Sequence, residues 1–155
     1  MGKIKNKNAI FIGAFIGVGI LLGAIRFFPG DPTIIPSNGL HYHAQLAIYV
    51  DGQKQPLPPN IGLGFSAHAP IHTHAEDAAA GVIHLEYAGV VHANDLRLSK
   101  FFTIWGRKNI RTAFGTLEKM TVNGKENTSY GAYEIHDGDA INLYYTKNPA
   151  SAPSS

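Results

Sequence analysis

Three short stretches of the chain carry two side chains with nitrogen or oxygen ligand atoms, separated each time by one residue. They are His41 and His43, His72 and His74, and His84 and Glu86. In an extended strand, residues two apart point to the same face, so each pair can aim both side chains at one point. Imidazole is a good ligand for zinc, copper, iron and nickel. The spacing therefore predicts a transition-metal site built from strand histidines.

The chain contains eight histidines and no cysteine. Thiolate metal sites, blue-copper centres and cysteine nucleophiles are therefore excluded. Three histidines with an open or carboxylate position describe a common zinc geometry, and copper also binds nitrogen sites tightly. We expect copper or zinc as the cofactor. Glu86 is either a ligand or an acceptor that orients a ring from behind.

The histidine pairs are also compatible with two roles that need no metal. A polar solvent face or a proton-responsive surface would likewise place histidines on strands. His68 and His92 stand in loop sequence and are expected on the surface, and His136 precedes a turn and is expected to be structural.

The elements that must position these residues are mainly strands. Residues 40–50 alternate polar and apolar, with Tyr42 and Ala44 on the apolar face, which predicts a strand. Asp51-Gly52 predicts a tight turn into a second strand over 53–57. His72 and His74 fall in a short strand, 71–74, and His84 and Glu86 in another, 82–87. These two strands are expected to form a hairpin, with the strand of His41 and His43 beside it.

The remaining sequence predicts one helix and further strands. A helix over 100–105 is expected, with Ser99 as its N-cap and Gly106 at its end. Strands are expected over 116–122 and 140–146, and Asn123-Gly124 predicts a hairpin turn after the first of them. This order predicts an α+β domain, mainly antiparallel. It resembles the β-grasp (ubiquitin-like) plan of an N-terminal hairpin, one helix and a late strand.

The first part of the chain has a different character. Residues 9–28 are apolar apart from Arg26 and are long enough to cross a bilayer as a transmembrane helix. Three lysines before this run predict a cytoplasmic basic N-terminus, 1–8, and place the rest of the chain outside the cytoplasm. A cleaved signal peptide is the alternative. Residues 29–39 are expected to be a linker and 148–155 a disordered tail, which leaves 40–147 as the domain.

Charge separates the two parts. From Asp31 onward, nine lysines and arginines face eleven acidic residues, a net charge of −2, although the whole chain carries +2. The domain has no long basic run, so a nucleic-acid surface is not expected. The cytoplasmic membrane is the expected partner.

The segments LHYHAQLAIYVDG, PIHTHAEDAAAGVIHLE and LSKFFTIWG resemble prokaryotic membrane-anchored, histidine-rich extracytoplasmic proteins of unassigned function. The resemblance spans about residues 40–106 and implies metal binding without an established reaction. It points to these histidines: His41, His43, His72, His74 and His84. We therefore expect a metal-binding or metal-delivery protein rather than an enzyme. A cupin-like or hydrolytic metalloenzyme and a non-metal subunit of a membrane complex are the alternatives. The glutamate that should follow the first cupin histidine pair is absent from residues 45–50.

Overall fold

The computed structural model describes residues 33–35, 39–64 and 67–147. Within these ranges the chain forms strands and one α-helix, with short 3₁₀ turns between them. The strands, in chain order, are β1 (Ile34–Ile35), β2 (Leu40–Val50), β3 (Gln53–Gln55), β4 (Ile71–His72), β5 (Val82–Tyr87), β6 (Val91–His92), β7 (Thr116–Val122), β8 (Lys125–Glu126) and β9 (Ala140–Thr146). The helix, α1, spans Leu98–Ile104.

Strand β2 organises the larger sheet because it is long enough to pair with three strands. Its first half, from Leu40 to Gln45, pairs antiparallel with β5. Its last three residues pair with β3 across the turn at Asp51 and Gly52. Along its other edge, β2 runs parallel to β9 from Gln45 to Val50. The strand order is β4, β5, β2, β9, β7, β8, with β3 also on β2, and β1 and β6 form a separate pair.

Alternation along β2 divides the sheet into two faces. Ala44, Leu46 and Ile48 are at most 2% exposed and belong to the hydrophobic core. Ile83 and Leu85 of β5 are fully buried on the same side, and Leu98, Phe101 and Phe102 of α1 complete the core. We call this side of the sheet the core face. Because side chains alternate along a strand, the residues between the core residues must lie on the opposite face.

Both turns predicted from Asp-Gly and Asn-Gly pairs are confirmed. Asp51 and Gly52 have φ of 49° and 78°, and Asn123 and Gly124 have φ of 51° and 77°. Positive φ at both central residues is the signature of the two-residue turns that match the twist of a hairpin.

The start of the helix differs from the prediction. The helix begins at Leu98, and Arg97 is its N-cap without a side-chain hydrogen bond, so Ser99 lies inside the helix. The backbone N–H of Leu98 instead donates to the carbonyl of Tyr133, at 2.9 Å. A distant segment thus satisfies the first free donor of the helix.

Within the described residues the α+β class is confirmed, with a mainly β architecture and one α-helix. The described residues contain no helix with the length and apolar character needed to cross a membrane. The predicted transmembrane segment, 9–28, lies outside them, as do the basic N-terminus, 1–8, and the tail, 148–155. Only part of the predicted linker, 29–39, is described.

Candidate metal centre

Strand register sets three histidines in one row across the sheet. His43 of β2 lies directly opposite His84 of β5, and His84 lies opposite His72 of β4. The next row along the strands pairs His41 with Glu86. The predicted hairpin of β4 and β5, with β2 beside it, is therefore confirmed. Directly opposed residues on neighbouring strands have side chains close enough to interact, so the register alone brings these rings together.

These side chains lie on the face of the sheet opposite the core face, which we call the histidine face. The residues between them point the other way: Leu85 is fully buried in the core and Tyr42 packs against it. Thr73, between His72 and His74, is also fully buried. Its hydroxyl donates to the carbonyl of Pro58 and accepts from the N–H of Ile61, both at 3.0 Å.

His72 is held in one orientation by the backbone. Its Nδ1 lies 3.0 Å from the carbonyl oxygen of Ala69. A carbonyl only accepts, so Nδ1 carries the proton and the lone pair of the neutral ring is on Nε2. That Nε2 lies 3.1 Å from Nε2 of His74. Two nitrogens bound to one tetrahedral zinc ion lie about 3.3 Å apart, given metal–nitrogen bonds near 2.0 Å. The two rings thus have nearly the spacing of ligands to one ion.

Burial favours the neutral form of the same ring. Desolvation lowers the pKa of His72 below its ordinary value of 6.5, and the neighbouring rings of His74 and His84 act in the same direction. The Ala69 carbonyl and the charge of Glu86 oppose this shift without cancelling it. Since a metal ion binds the neutral imidazole, the environment of His72 favours the form that can act as a ligand.

His84 is oriented by a carboxylate that the sequence reasoning missed. Its Nε2 lies 2.8 Å from Oδ2 of Asp77, which sits in the turn between β4 and β5. The carboxylate accepts this hydrogen bond, so Nδ1 of His84 is the ring atom with a lone pair for an ion. Carboxylate-to-histidine hydrogen bonds of this kind commonly fix the tautomer of a metal ligand. The signal in the sequence was an acidic residue between the His72–His74 pair and the His84–Glu86 pair.

The second carboxylate oxygen of Asp77, Oδ1, is buried and has no hydrogen-bond partner among the described residues. A buried polar atom without a partner is costly, and it favours a nearby positive charge.

The histidines of β2 complete the cluster from the solvent side. Ring centroids of His43 and His84 lie 4.6 Å apart, and those of His41 and His43 lie 4.8 Å apart. Nε2 of His41 is 3.3 Å from Oε1 of Glu86, and both side chains are exposed, at 62% and 45%. Such an exposed ion pair contributes little to the free energy of unfolding. Its relevance here is that it places a ring nitrogen and a carboxylate oxygen close together.

The six predicted ligands fall into two groups, and in each group one atom per residue lies within 4.8 Å of the others. The β2 group is His41, His43 and His84. The β4 group is His72, His74 and Glu86. Two of the pairs seen in the sequence each lie within one group: His41 with His43, and His72 with His74. The pair His84 and Glu86 is divided, since each side chain joins the neighbours on a different side of β5.

The other histidines lie apart from the two groups. His68 is exposed, with its ring centroid 5.9 Å from that of His72. His92 caps the 3₁₀ turn after β6, with a further contact to Thr33. His136 is exposed beside Asp139, at 3.6 Å. The surface positions of His68 and His92 agree with the prediction.

Gly81 allows β5 to start close to β2. Its φ is 90°, and a Cβ built on it would lie 2.5 Å from the carbonyl oxygen of Leu46. Its own carbonyl accepts from the N–H of Leu46 at 2.8 Å. A side chain at this position would push the strands apart three residues before His84.

No protein-family model, no curated protein and no solved structure matches this chain. Its function is therefore inferred from the side chains themselves.

Proposed function

We propose that this chain binds copper or zinc at the histidine face and delivers the ion at the outer side of the cytoplasmic membrane. One observation supports this above all others. Six candidate ligands converge from β2, from β5 and from β4 with the residues that follow it, with ligand atoms within 4.8 Å of one another in each of two groups. A solvent face needs no such convergence, and rings so close together crowd positive charge when they are protonated.

The surroundings of the rings support the same function. The carbonyl of Ala69 and the carboxylate of Asp77 select the ring nitrogen that His72 and His84 present. Metal-binding histidines are normally oriented by partners of this kind. Glu86 and Asp77 add negative charge beside the rings, which favours a divalent cation. Nitrogen-rich sites rank copper above zinc in affinity, while tetrahedral nitrogen and oxygen sites suit zinc.

Exposure of several ligands favours delivery over permanent storage. His41, His43 and Glu86 are open to solvent, whereas His72 and His84 are buried. A partner protein can approach an ion held by exposed ligands and exchange one ligand at a time. A structural zinc site, by contrast, is normally closed by four protein ligands.

The location and the fold family belong to the proposal. The apolar run 9–28 and the lysines before it support an anchor with the domain outside the cytoplasm. A membrane protein complex is a further partner of this chain to test. A β-grasp-like plan is supported by the parallel neighbours β2 and β9, the β2–β3 hairpin and the helix α1. The likeness to histidine-rich anchored proteins remains a proposal as well.

The test uses the full chain, purified in detergent without chelators. Elemental analysis measures bound copper and zinc, and thermal unfolding is followed with and without added ion. We expect bound metal and a higher melting temperature with the ion. The variant His72→Gln/His84→Gln removes one ligand from each group while keeping side-chain volume and polarity, and it should lose both effects.

The matched control is His92→Gln/His136→Gln, which removes two imidazoles outside the groups. It should bind as the parent chain does. Circular dichroism of each variant establishes that it is folded. A folded parent chain that binds neither ion, and whose melting temperature does not change, would contradict metal binding and favour a non-metal interaction module.

A further inference from the structure

The number of ligands on the histidine face exceeds what one ion uses. Five imidazoles and Glu86 form the two groups, and Asp77 adds a further carboxylate behind His84. Zinc in proteins is almost always four-coordinate, with bonds near 2.0 Å to nitrogen. Two nitrogen ligands of one tetrahedral ion thus lie about 3.3 Å apart. Six donors spread over three strand segments are more than a single four-coordinate ion requires.

The orientation of two rings supports the division into two groups, while His74 and His84, one from each group, have ring centroids only 4.6 Å apart. The ring centroids of His72 and His84, one from each group, are 5.6 Å apart and the rings are almost parallel, at 9°. Within the β4 group, the ring centroids of His72 and His74 are 4.8 Å apart with the planes almost perpendicular, at 89°, and their Nε2 atoms face each other at 3.1 Å. Rings stacked face to face direct their in-plane lone pairs side by side rather than towards each other. His72 and His84 therefore suit neighbouring ions better than one shared ion.

Glu86 touches both groups. Its ligand atom belongs with His72 and His74, yet its Oε1 lies 3.3 Å from Nε2 of His41. A carboxylate has two oxygens and about four lone-pair sites, so it can contact two cations at once. Its position on β5, the strand between β2 and β4, is where a bridging group would stand.

We infer that the histidine face holds two metal ions side by side, one in the β2 group and one in the β4 group. This inference rests on the proposed metal binding and adds its stoichiometry and arrangement. The ion of the β2 group meets solvent through His41 and His43, which are both exposed. The ion of the β4 group is held by the buried His72. Each group contains one buried histidine, but two ligands are exposed in the β2 group and one in the β4 group, so the first ion is the more open to exchange with a partner.

The experiment titrates the full chain in detergent with Cu²⁺ and, separately, with Zn²⁺, and measures bound ion per chain after desalting. The parent chain should bind two equivalents. His41→Gln/His43→Gln should bind one, and so should His74→Gln/Glu86→Gln. All four of these residues are exposed or partly exposed, so the variants retain the core. The control His92→Gln/His136→Gln should still bind two.

A second readout separates two neighbouring ions from two distant ones. Strands lie about 4.8 Å apart, so ions on adjacent strands are within about 10 Å of each other. Paramagnetic resonance of the chain with two Cu²⁺ should show lines broadened by coupling, and each single-group variant should give the sharp signal of one isolated Cu²⁺.

The outcomes distinguish this inference from the proposed function. One equivalent in the parent chain would overturn the two-ion arrangement and leave metal binding intact. Two equivalents that persist in the His41→Gln/His43→Gln variant, or that give uncoupled signals, would also overturn it. No bound ion at all would overturn the proposed function.

Discussion

The core face and the histidine face are made by alternate residues of the same strands, yet their surroundings differ sharply. On β5, Ile83 and Leu85 are fully buried among apolar side chains. Their neighbours His84 and Glu86 point the opposite way and meet rings and carboxylates from β2 and the β4 segment. The core face uses its residues for packing, and the histidine face concentrates polar atoms with lone pairs.

This difference separates stability from binding along a single strand. Removing apolar volume on the core face should destabilise the fold, whatever the ion does. Removing an exposed ligand on the histidine face, such as His41, His43 or Glu86, should change the response to the ion and leave the apo fold nearly intact. Substitutions on each face can test that separation, from the largest expected effect to the smallest.

Leu85→Ala should cost the most stability. Truncating a fully buried leucine removes apolar contacts and leaves a cavity, at about 2–5 kcal/mol. The adjacent Glu86→Ala should change the apo free energy of unfolding by only about 0.5 kcal/mol, because its side chain is exposed. Urea unfolding of both apo variants measures the difference. Equal losses would mean that the two faces are not distinct in the way described.

After Leu85→Ala, the next largest change in the free energy of unfolding should come from adding the metal ion to the parent chain. An ion at 100 times its dissociation constant adds about 2.7 kcal/mol to the free energy of unfolding, which corresponds to a rise of roughly 10 °C in melting temperature. Leu85→Ala should melt at a lower temperature than the parent chain without the ion, and its melting temperature should rise by the same amount when the ion is added. His72→Gln/His84→Gln should not show this rise. Thermal unfolding with and without Zn²⁺ measures the increment, and its survival in the second variant would place the ion elsewhere.

Thr73→Val should have an intermediate effect that links the two faces. The hydroxyl of Thr73 is bonded to the carbonyl of Pro58 and the N–H of Ile61, and the threonine itself is fully buried. Valine leaves both groups unpaired, at a cost of about 1–3 kcal/mol. It also loosens the segment that holds His72 and His74, so the affinity for Zn²⁺ should fall.

Thr73→Ser is the matched control, because it keeps the hydroxyl. Calorimetric titration with Zn²⁺ and urea unfolding should both place it close to the parent chain. If the serine variant lost as much affinity as the valine variant, the hydroxyl would not be what positions the two rings.

Tyr87→Phe should give the smallest effect, and it should be confined to stability. Burial, with a contribution from Asp95, raises the pKa of Tyr87 from 10 to about 12, and its hydroxyl donates to the carbonyl of Asp95 at 2.7 Å. The folded state thus favours the neutral phenol, and the stability that this gives is present below pH 10 and lost as the pH rises towards 12. Losing the hydrogen bond should cost about 1 kcal/mol at neutral pH.

The measurement is the free energy of unfolding at about pH 8 and about pH 11, on either side of the ordinary phenol pKa. It should fall less between these values in Tyr87→Phe than in the parent chain. The metal-induced increment at neutral pH should be unchanged, because Tyr87 packs against the core rather than among the ligands. An increment that fell with this substitution would show that the faces are coupled.

Much of this arrangement could be predicted from local patterns. Alternation along residues 40–50 placed His41 and His43 opposite Ala44 and Leu46, and the structure agrees. The Asp-Gly and Asn-Gly turns were equally local, because positive φ suits those residues. The spacing between His74 and His84 correctly indicated that β4 and β5 are antiparallel neighbours.

The features that could not be predicted depend on contacts between distant segments. Strand β4 ends at His72, so His74 reaches the cluster from an irregular segment rather than from a strand. Asp77 meets His84 through the conformation of the turn between β4 and β5, which the spacing of residues does not encode. Alternation shows on which face of the sheet a side chain lies, but not which side chain of an adjacent strand it contacts. It could therefore not show that His84 and Glu86 join different groups.

X-ray absorption at the metal edge of the loaded full chain tests the central claim most directly, because it reports the atoms around the ion. Convergence of the imidazoles predicts nitrogen neighbours at about 2.0 Å, with the outer-shell scattering of imidazole rings, and the loss of that scattering in His72→Gln/His84→Gln. An ion surrounded by oxygen alone, with no imidazole scattering in the parent chain, would contradict it.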